Sequence, residues 1–214
     1  MTSPDLNYIK QYRREDAFRY YEFDEKYNVN TSHPFTKDKD GNIIPGIYEN
    51  FQYNGSNGYQ RAAEFELDKI NEFFYKQQGI ENYLFVDIGS GKGKVILYNI
   101  LKEAPYKDYI GIEIDELLHS VALDNFQLTG IKVNKNVKLL NMDILDYDII
   151  DTPSVYFMFY PFSKEIFQKF INKNLDKIRQ TKSYLVFINE ADFDVSNAIG
   201  ADPIFDYHSI TIYQ

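Results

Sequence analysis

Asp87, Glu113, Asp143 and Tyr160 each stand at or just past the end of a short apolar run, where a strand would hand its last side chain to a ligand. Asp87 leads into Gly89-Ser90-Gly91-Lys92-Gly93, three glycines at alternate positions ahead of a helical pattern that begins near Lys94. A glycine turn between a buried strand and a helix lets a ligand reach the backbone, because no side chain stands in the way. Amides at the start of the next helix would favour an anionic group there. Glu113 closes the next strand, and a carboxylate there can accept both hydroxyls of a ribose. Asp143 closes the third and could accept from the exocyclic amine of an adenine, with Met142 or Ile144 covering the ring. Tyr156-Phe157-Met158-Phe159-Tyr160-Pro161-Phe162 supplies an aromatic rim beside the turn.

Three ligand classes compete for such a turn. A nucleoside triphosphate loop needs glycine five residues before a Gly-Lys pair and a hydroxyl after it. Here Ile88 and Val95 occupy those places, so that reading fails. The dinucleotide fingerprint wants a third glycine where Lys94 stands, and it leaves Asp87 without a task. One ligand crossing the carboxyl ends of four strands would meet all of the acids.

The elements that position these residues follow from periodicity. Apolar runs at Leu84–Ile88, Tyr109–Ile114, Val137–Asn141, Val155–Tyr160 and Tyr184–Asn189 read as strands buried on both faces. Helical patterns at 62–78, Lys94–Lys102, Glu116–Leu128 and Lys164–Ile178 alternate with them, with Gly79 as a stop and Asp115 and Ser163 as N-caps. Ile204-Phe205 and Ser209–Tyr213 leave no room for a helix and read as a closing antiparallel pair. The expectation is an α/β, Rossmann-like, seven-stranded sheet, mostly parallel with an antiparallel last strand and helices on both faces.

Upstream, residues 4–27 carry Tyr8, Ile9, Tyr12, Phe18 and Tyr21 at helical spacing, predicting one or two amphipathic helices. Residues 28–60 are rich in Asn, Gly, Pro and Ser, with turns at Asp40-Gly41 and Pro45-Gly46. Residues 1–60 therefore read as an N-terminal extension, a lid over the site, and 61–214 as the main domain. Tyr48, Tyr53 and Tyr59 lie in that extension; with 19 tyrosines in the chain ordinary packing is the stronger reading for them, and lining the site's mouth the alternative. Asp38-Lys39-Asp40-Gly41-Asn42 fails as a calcium loop, since its glycine comes too early and no glutamate closes it.

The 214 residues carry a net charge of −9 and no cysteine, which removes disulfides, thiol nucleophiles and thiolate metal sites. His33, His119 and His208 show no metal-ligand spacing, and no metal is expected. The acidic balance argues against nucleic acid as partner, with Lys132, Lys135 and Lys138 the nearest basic group. No apolar run reaches membrane-span length and no secretory signal opens the chain, so a cytoplasmic protein is expected. Aromatics reach 17%, with 19 Tyr and 17 Phe, more than a core alone is expected to use.

Val86-Asp87-Ile88-Gly89-Ser90-Gly91-Lys92-Gly93, Glu113, Asp143 and Tyr160-Pro161-Phe162 resemble the ordered motifs of class I S-adenosylmethionine-dependent methyltransferases. The Asp-x-Gly-Ser-Gly-Lys-Gly form followed by Gly111-Ile112-Glu113 is similar to a bacterial-type subgroup related in its core to the non-SET histone-lysine methyltransferases. Phe23-Asp24-Glu25-Lys26-Tyr27-Asn28-Val29-Asn30-Thr31-Ser32 resembles a segment that subgroup carries upstream. The resemblance implies S-adenosyl-L-methionine as cofactor. Asp87, Gly89, Ser90 and Gly91 would hold its methionine part, Glu113 and Ile114 its ribose, and Met142, Asp143 and Ile144 its adenine. Tyr160, Pro161 and Phe162 would be the catalytic motif, although the family often has Asn where Tyr160 stands. A phenol is longer than that amide and donates at neutral pH, which puts the usual amine geometry in question. The methyl acceptor is left open between a small molecule and a protein side chain. Two other readings stand beside this one: a cofactor-binding or interaction module that has lost catalysis, and an NAD-dependent oxidoreductase.

Overall fold

Strand-forming runs buried on both faces need helices on both faces, and the chain supplies them in turn. A computed structural model describes residues 22–31, 36–37, 43–44, 62–129, 135–189 and 194–214. The readings that fall on residues 4–21, His33, residues 38–42, Pro45-Gly46, Tyr48, Tyr53, Tyr59 and Lys132 lie outside these.

Residues 22–27 form helix α1. Two short strands, β1 (Thr36–Lys37) and β2 (Ile43–Ile44), pair antiparallel. Helix α2 (Glu64–Phe74) is shorter than the 62–78 pattern, and Gly79 takes a left-handed conformation after it, ahead of a 3₁₀ turn at Ile80–Asn82. Strand β3 (Leu84–Ile88), α3 (Lys94–Leu101), β4 (Asp108–Glu113), α4 (Glu116–Leu128), β5 (Val137–Asn141), β6 (Ser154–Phe159), α5 (Lys164–Gln180) and β7 (Tyr184–Ile188) follow. A short helix α6 (Val195–Ile199), β8 (Phe205–Tyr207) and β9 (Ile210–Tyr213) complete the order.

The large sheet runs β5-β4-β3-β6-β7-β9-β8. Its first five strands are parallel, and β9 lies antiparallel between β7 and β8. The expected seven-stranded, mostly parallel sheet is present. Asp115 caps α4, its carboxylate accepting from the amides of Leu117 and Leu118. Ser163 occupies the cap position of α5 but makes no side-chain cap bond.

Side chains alternate across the sheet, as a period of two requires. Phe85, Tyr109, Phe157 and Val186 pack with α2 and α3 on one face. Leu84, Val86, Ile88, Met158 and Phe187 pack with α5 and α6 on the other. Part of the aromatic excess is core: Tyr106, Tyr109, Tyr156, Tyr213, Phe74 and Phe85 are among the largest fully buried side chains. Phe74 meets Tyr106 and Tyr184 edge-on at 5.7 and 5.1 Å, an arrangement that aromatic quadrupoles favour. Among the described residues, no helix is long and apolar enough to cross a membrane.

Candidate functional site

Strand order reverses at β3. The chain steps from β3 outward to β4 and β5, then crosses to β6 on the other side of β3. In open α/β sheets the crevice at the carboxyl ends beside such a reversal is where ligands bind. The glycine turn after β3 and the Tyr160-Pro161-Phe162 stretch after β6 face each other there. A Cβ placed on Gly89, whose φ is +76°, would come within 2.6 Å of Pro161 Cβ. Only glycine fits that conformation and that approach. Gly91 and Gly93 have φ values of 52° and 80°.

The turn spends its amides inside the protein. Gly89 and Ser90 N–H both donate to the carbonyl of Ile112 in β4, at 2.9 and 3.0 Å. Gly93 N–H donates to Ser90 carbonyl at 2.8 Å, and Gly91 N–H to Glu113 Oε2 at 2.8 Å. The expectation of a row of amides open to an anion is therefore corrected at these four positions. They already have acceptors.

What is open is an acceptor. Asp87 is 2% exposed, and its Oδ2 has no hydrogen-bond partner. Burial, and to a smaller extent the neighbouring Glu113 carboxylate, push the Asp87 carboxyl up to about 8. Glu113 is 6% exposed. Burial raises its carboxyl too, against which the amides of Asp115 and Gly91 hold the charged form. The two acids project to the same side of the sheet, Asp87 opposite Gly111 and Glu113 two residues on. Of the pair, Glu113 has two backbone donors and Asp87 carries a bare oxygen. An unpartnered buried carboxyl calls for a cationic or donating group.

Both Glu113 oxygens are engaged, Oε1 by Asp115 N–H at 2.9 Å and Oε2 by Gly91 N–H. Each keeps a second lone pair for a hydroxyl. Ile114 follows Glu113 outside the strand, its carbonyl accepting from Asn141 Nδ2 at 3.2 Å. Asp143 is half-buried and caps the 3₁₀ turn Ile144–Asp146 by accepting from Leu145 N–H at 2.9 Å. Met142 is half-buried, with its amide donating to Glu113 carbonyl at 3.0 Å, whereas Ile144 belongs to the core. Tyr160 has φ of 44° and is half-buried, Pro161 lies against Gly89, and Phe162 sits in the core on the α5 face. The glycine turn, both buried acids and Pro161 thus come together. Ile144 and Phe162 turn inward.

Sequence reasoning missed Lys92, Asn125 and Asn30, which hold the outer side of the turn. Asn125 Nδ2 donates to Lys92 carbonyl at 3.0 Å, and the wholly buried Lys92 reaches Asn30 Oδ1 at 3.2 Å. The available signal was an asparagine three residues from Ala122 on the buried stripe of α4. A separate cavity of about 300 Å³ lies at the opposite, amino edge of the sheet, lined by Leu175, Arg179, Ser183 and Tyr213 among others. It contains none of these residues, and the strand-reversal geometry outweighs its size.

Residues 81–171 match the family model described as "Putative methyltransferase". That stretch holds every site residue from Asp87 to Phe162. No curated protein matches this chain. Among solved structures, a predicted N6-adenine-specific DNA methylase from Listeria monocytogenes is 12% identical, with 73% of this chain and 51% of that chain covered and a TM-score of 0.53. A protein of the NADB-Rossmann superfamily from Streptococcus agalactiae is 15% identical over 72% of this chain and 68% of its own, with a TM-score of 0.50. TrmK of M. capricolum, solved with S-adenosyl-homocysteine, is 14% identical over 69% and 65%, with a TM-score of 0.45. This chain spans about half the length of the Listeria protein. At such identities the likeness is one of fold.

Proposed function

We propose that this chain is an S-adenosylmethionine-dependent methyltransferase of class I. The observation that carries the reading is the bare Asp87 Oδ2, buried beneath a glycine turn whose amides at Gly89, Ser90, Gly91 and Gly93 are already taken. A site so built suits a cofactor with a cationic amino-acid end and disfavours a pyrophosphate, which needs open amides. The match of residues 81–171 to a methyltransferase model supports the same choice.

On this reading Asp87 and the turn hold the methionine part, Glu113 offers its remaining lone pairs to the ribose, and Asp143 and Met142 border the adenine. When bound, the cofactor supplies a methyl carbon made electrophilic by its sulfonium. The protein's own task is then to orient a nucleophile in line and exclude water, with little need of a strong base. Phe159, the last residue of β6, and Tyr160 just after it shape the acceptor side, and their ring faces attract cationic groups. Residues 61–214 are the catalytic domain and 1–60 its lid. The Asp-x-Gly-Ser-Gly-Lys-Gly form and the segment 23–32 support the subgroup related to the non-SET histone-lysine methyltransferases. The net charge of −9 favours an acceptor other than nucleic acid.

Calorimetric titration tests the cofactor. S-adenosylmethionine and S-adenosylhomocysteine are expected to bind and NAD is not. No heat with S-adenosylmethionine at millimolar concentration, together with NAD binding, would overturn the reading.

A further inference from the structure

Asn30, Lys92 and Asn125 form a hydrogen-bonded group that the proposed chemistry leaves unused. Asn125 projects from α4 and is 1% exposed. Its Oδ1 accepts from Asn30 N–H at 2.7 Å, and its Nδ2 donates to the carbonyls of Lys92 at 3.0 Å and Asn30 at 3.2 Å. One side-chain amide therefore joins the main chain of residues 22–31 to the main chain of the glycine turn. Lys92 Nζ adds a second link by donating to Asn30 Oδ1.

The segment it holds is a folded clasp. Asp24 accepts from Thr31 N–H at 2.9 Å and Thr31 Oγ1 at 2.5 Å, and Val29 N–H donates to Asp24 carbonyl at 3.0 Å. Asn28 takes the left-handed conformation that closes the loop, with φ of 53°. Phe23 is buried in the α2/α3 core, 5.0 Å from the Tyr27 ring, with Lys94 Nζ 5.3 Å from its own ring centroid.

The turn needs such a support. Three glycines in five residues gain little from side-chain packing and lose the most conformational freedom on ordering. Glu113 fixes the turn from within through Gly91 N–H, and Asn125 fixes it from outside through Lys92 carbonyl. We infer that Asn125 is a positioning residue that sets the glycine turn in its ligand-binding shape through residues 22–31, so that docking of this clasp and occupancy of the site are coupled. The inference rests on the S-adenosylmethionine reading above. If the clasp tightens the ligand, the ligand must tighten the clasp by the same factor.

The test is calorimetry and hydrogen exchange on the full chain with S-adenosylmethionine as probe. Asn125→Leu removes one acceptor and two donations and is expected to weaken binding by about tenfold or more, the scale of one or two lost buried hydrogen bonds. Asn125→Asp keeps the acceptor for Asn30 N–H but sets a carboxylate oxygen against the carbonyls of Lys92 and Asn30, so it too is expected to weaken binding by about tenfold or more. In the wild-type protein, saturation with S-adenosylmethionine should slow exchange at Asn30 and Thr31, and Asn125→Leu should abolish that slowing. A purely structural asparagine would lower the unfolding midpoint while leaving both readouts unchanged. Should Asn125→Leu fail to fold, Asn30→Ala, which removes only the Lys92 acceptor, is expected to weaken binding about threefold. Affinity within twofold of wild type in the folded variants, or no slowing at Asn30 and Thr31 in the wild type, overturns the inference while the cofactor reading stands. A wild-type protein that takes up no S-adenosylmethionine overturns both.

Discussion

The two strand ends that meet at the reversal are built in opposite ways. After β3 the chain uses three glycines with positive φ, buries Asp87 and Glu113, and pairs the amides of Gly89, Ser90, Gly91 and Gly93 within the protein. After β6 it uses one non-glycine residue with positive φ, Tyr160, then Pro161, which has no N–H to give, and leaves the tyrosine half-buried. The first end is fixed by its backbone and offers one bare carboxyl oxygen. The second offers side chains. A cofactor shared by many enzymes needs the first kind of end, whereas a particular acceptor is chosen by the second.

The largest effect should come from forcing a side chain where the two ends touch. Gly89→Ala puts a Cβ 2.6 Å from Pro161 Cβ and places an L-residue at φ of +76°. Overpacking and the left-handed conformation together cost about 2–5 kcal/mol. In a chain of this size that lowers the unfolding midpoint by roughly 4–20 °C. Gly79→Ala is the control. Its φ is +79°, but nothing lies within 4 Å of the added Cβ, so only the conformational part, about 1–2 kcal/mol, remains. Equal losses in the two variants, read by thermal unfolding, would show that the Gly89–Pro161 contact does not set the spacing of the two ends.

A smaller effect, and one that depends on pH, should come from Asp87. Its folded carboxyl titrates at about 8, far above the usual carboxylate range near 4. Below pH 4 both folded and unfolded states hold the proton, and the protonated form carries no penalty. Between about 4 and 8 the unfolded state gives the proton up while the folded state keeps it. Stability from this group therefore falls as pH rises, by up to about 1.4 kcal/mol per unit. Asp87→Asn is expected to flatten that part of the slope in urea unfolding between pH 5 and 8. A cation seated beside Asp87 would favour its charged form, so S-adenosylmethionine affinity should rise with pH toward 8 in the wild type. The affinity of Asp87→Asn should stay level. An unchanged stability slope in the variant would mean that Asp87 is not the group holding the proton.

These contrasts explain which parts of the molecule were legible in the sequence. Strands buried on both faces announce themselves as apolar runs, and β3 has the expected bounds, as does α4; β5 has them too, but as an edge strand it is partly exposed and not buried on both faces as expected. The misplaced ends have local causes. Tyr160 leaves β6 because its φ is 44°, and Ile114 leaves β4 because the chain turns where Asp115 N–H reaches back to Glu113. Helix α5 runs two residues beyond Ile178, to Gln180, where polar residues hid its end. The short α6 and the 3₁₀ turns left no periodic trace. At the site, acids at strand ends could be picked out by type and place, but their partners could not. Whether an oxygen of Asp87 is bare and whether both oxygens of Glu113 are occupied depend on where other backbone amides arrive. The Asn30–Asn125 pair joins positions 95 residues apart, beyond any local pattern.

The smallest predicted effect addresses the second strand end directly. Tyr160 holds a left-handed backbone immediately before a proline, where residues are normally extended. For most L-residues that conformation costs roughly 1–2 kcal/mol, and asparagine tolerates it better because its short polar side chain can hydrogen-bond locally. Tyr160→Asn should therefore recover about 1 kcal/mol of backbone strain and raise the unfolding midpoint by roughly 2–4 °C. Tyr160→Phe keeps both the strain and the ring and removes only the hydroxyl, so it separates the hydroxyl's part from theirs. If the hydroxyl meets the methyl acceptor, Tyr160→Phe lowers turnover at unchanged S-adenosylmethionine affinity, and Tyr160→Asn lowers it despite the gain in stability. A Tyr160→Asn variant that melts lower than the wild type would mean that the ring's packing outweighs the strain. The second strand end would then be held as firmly as the first, by a side chain in place of glycines.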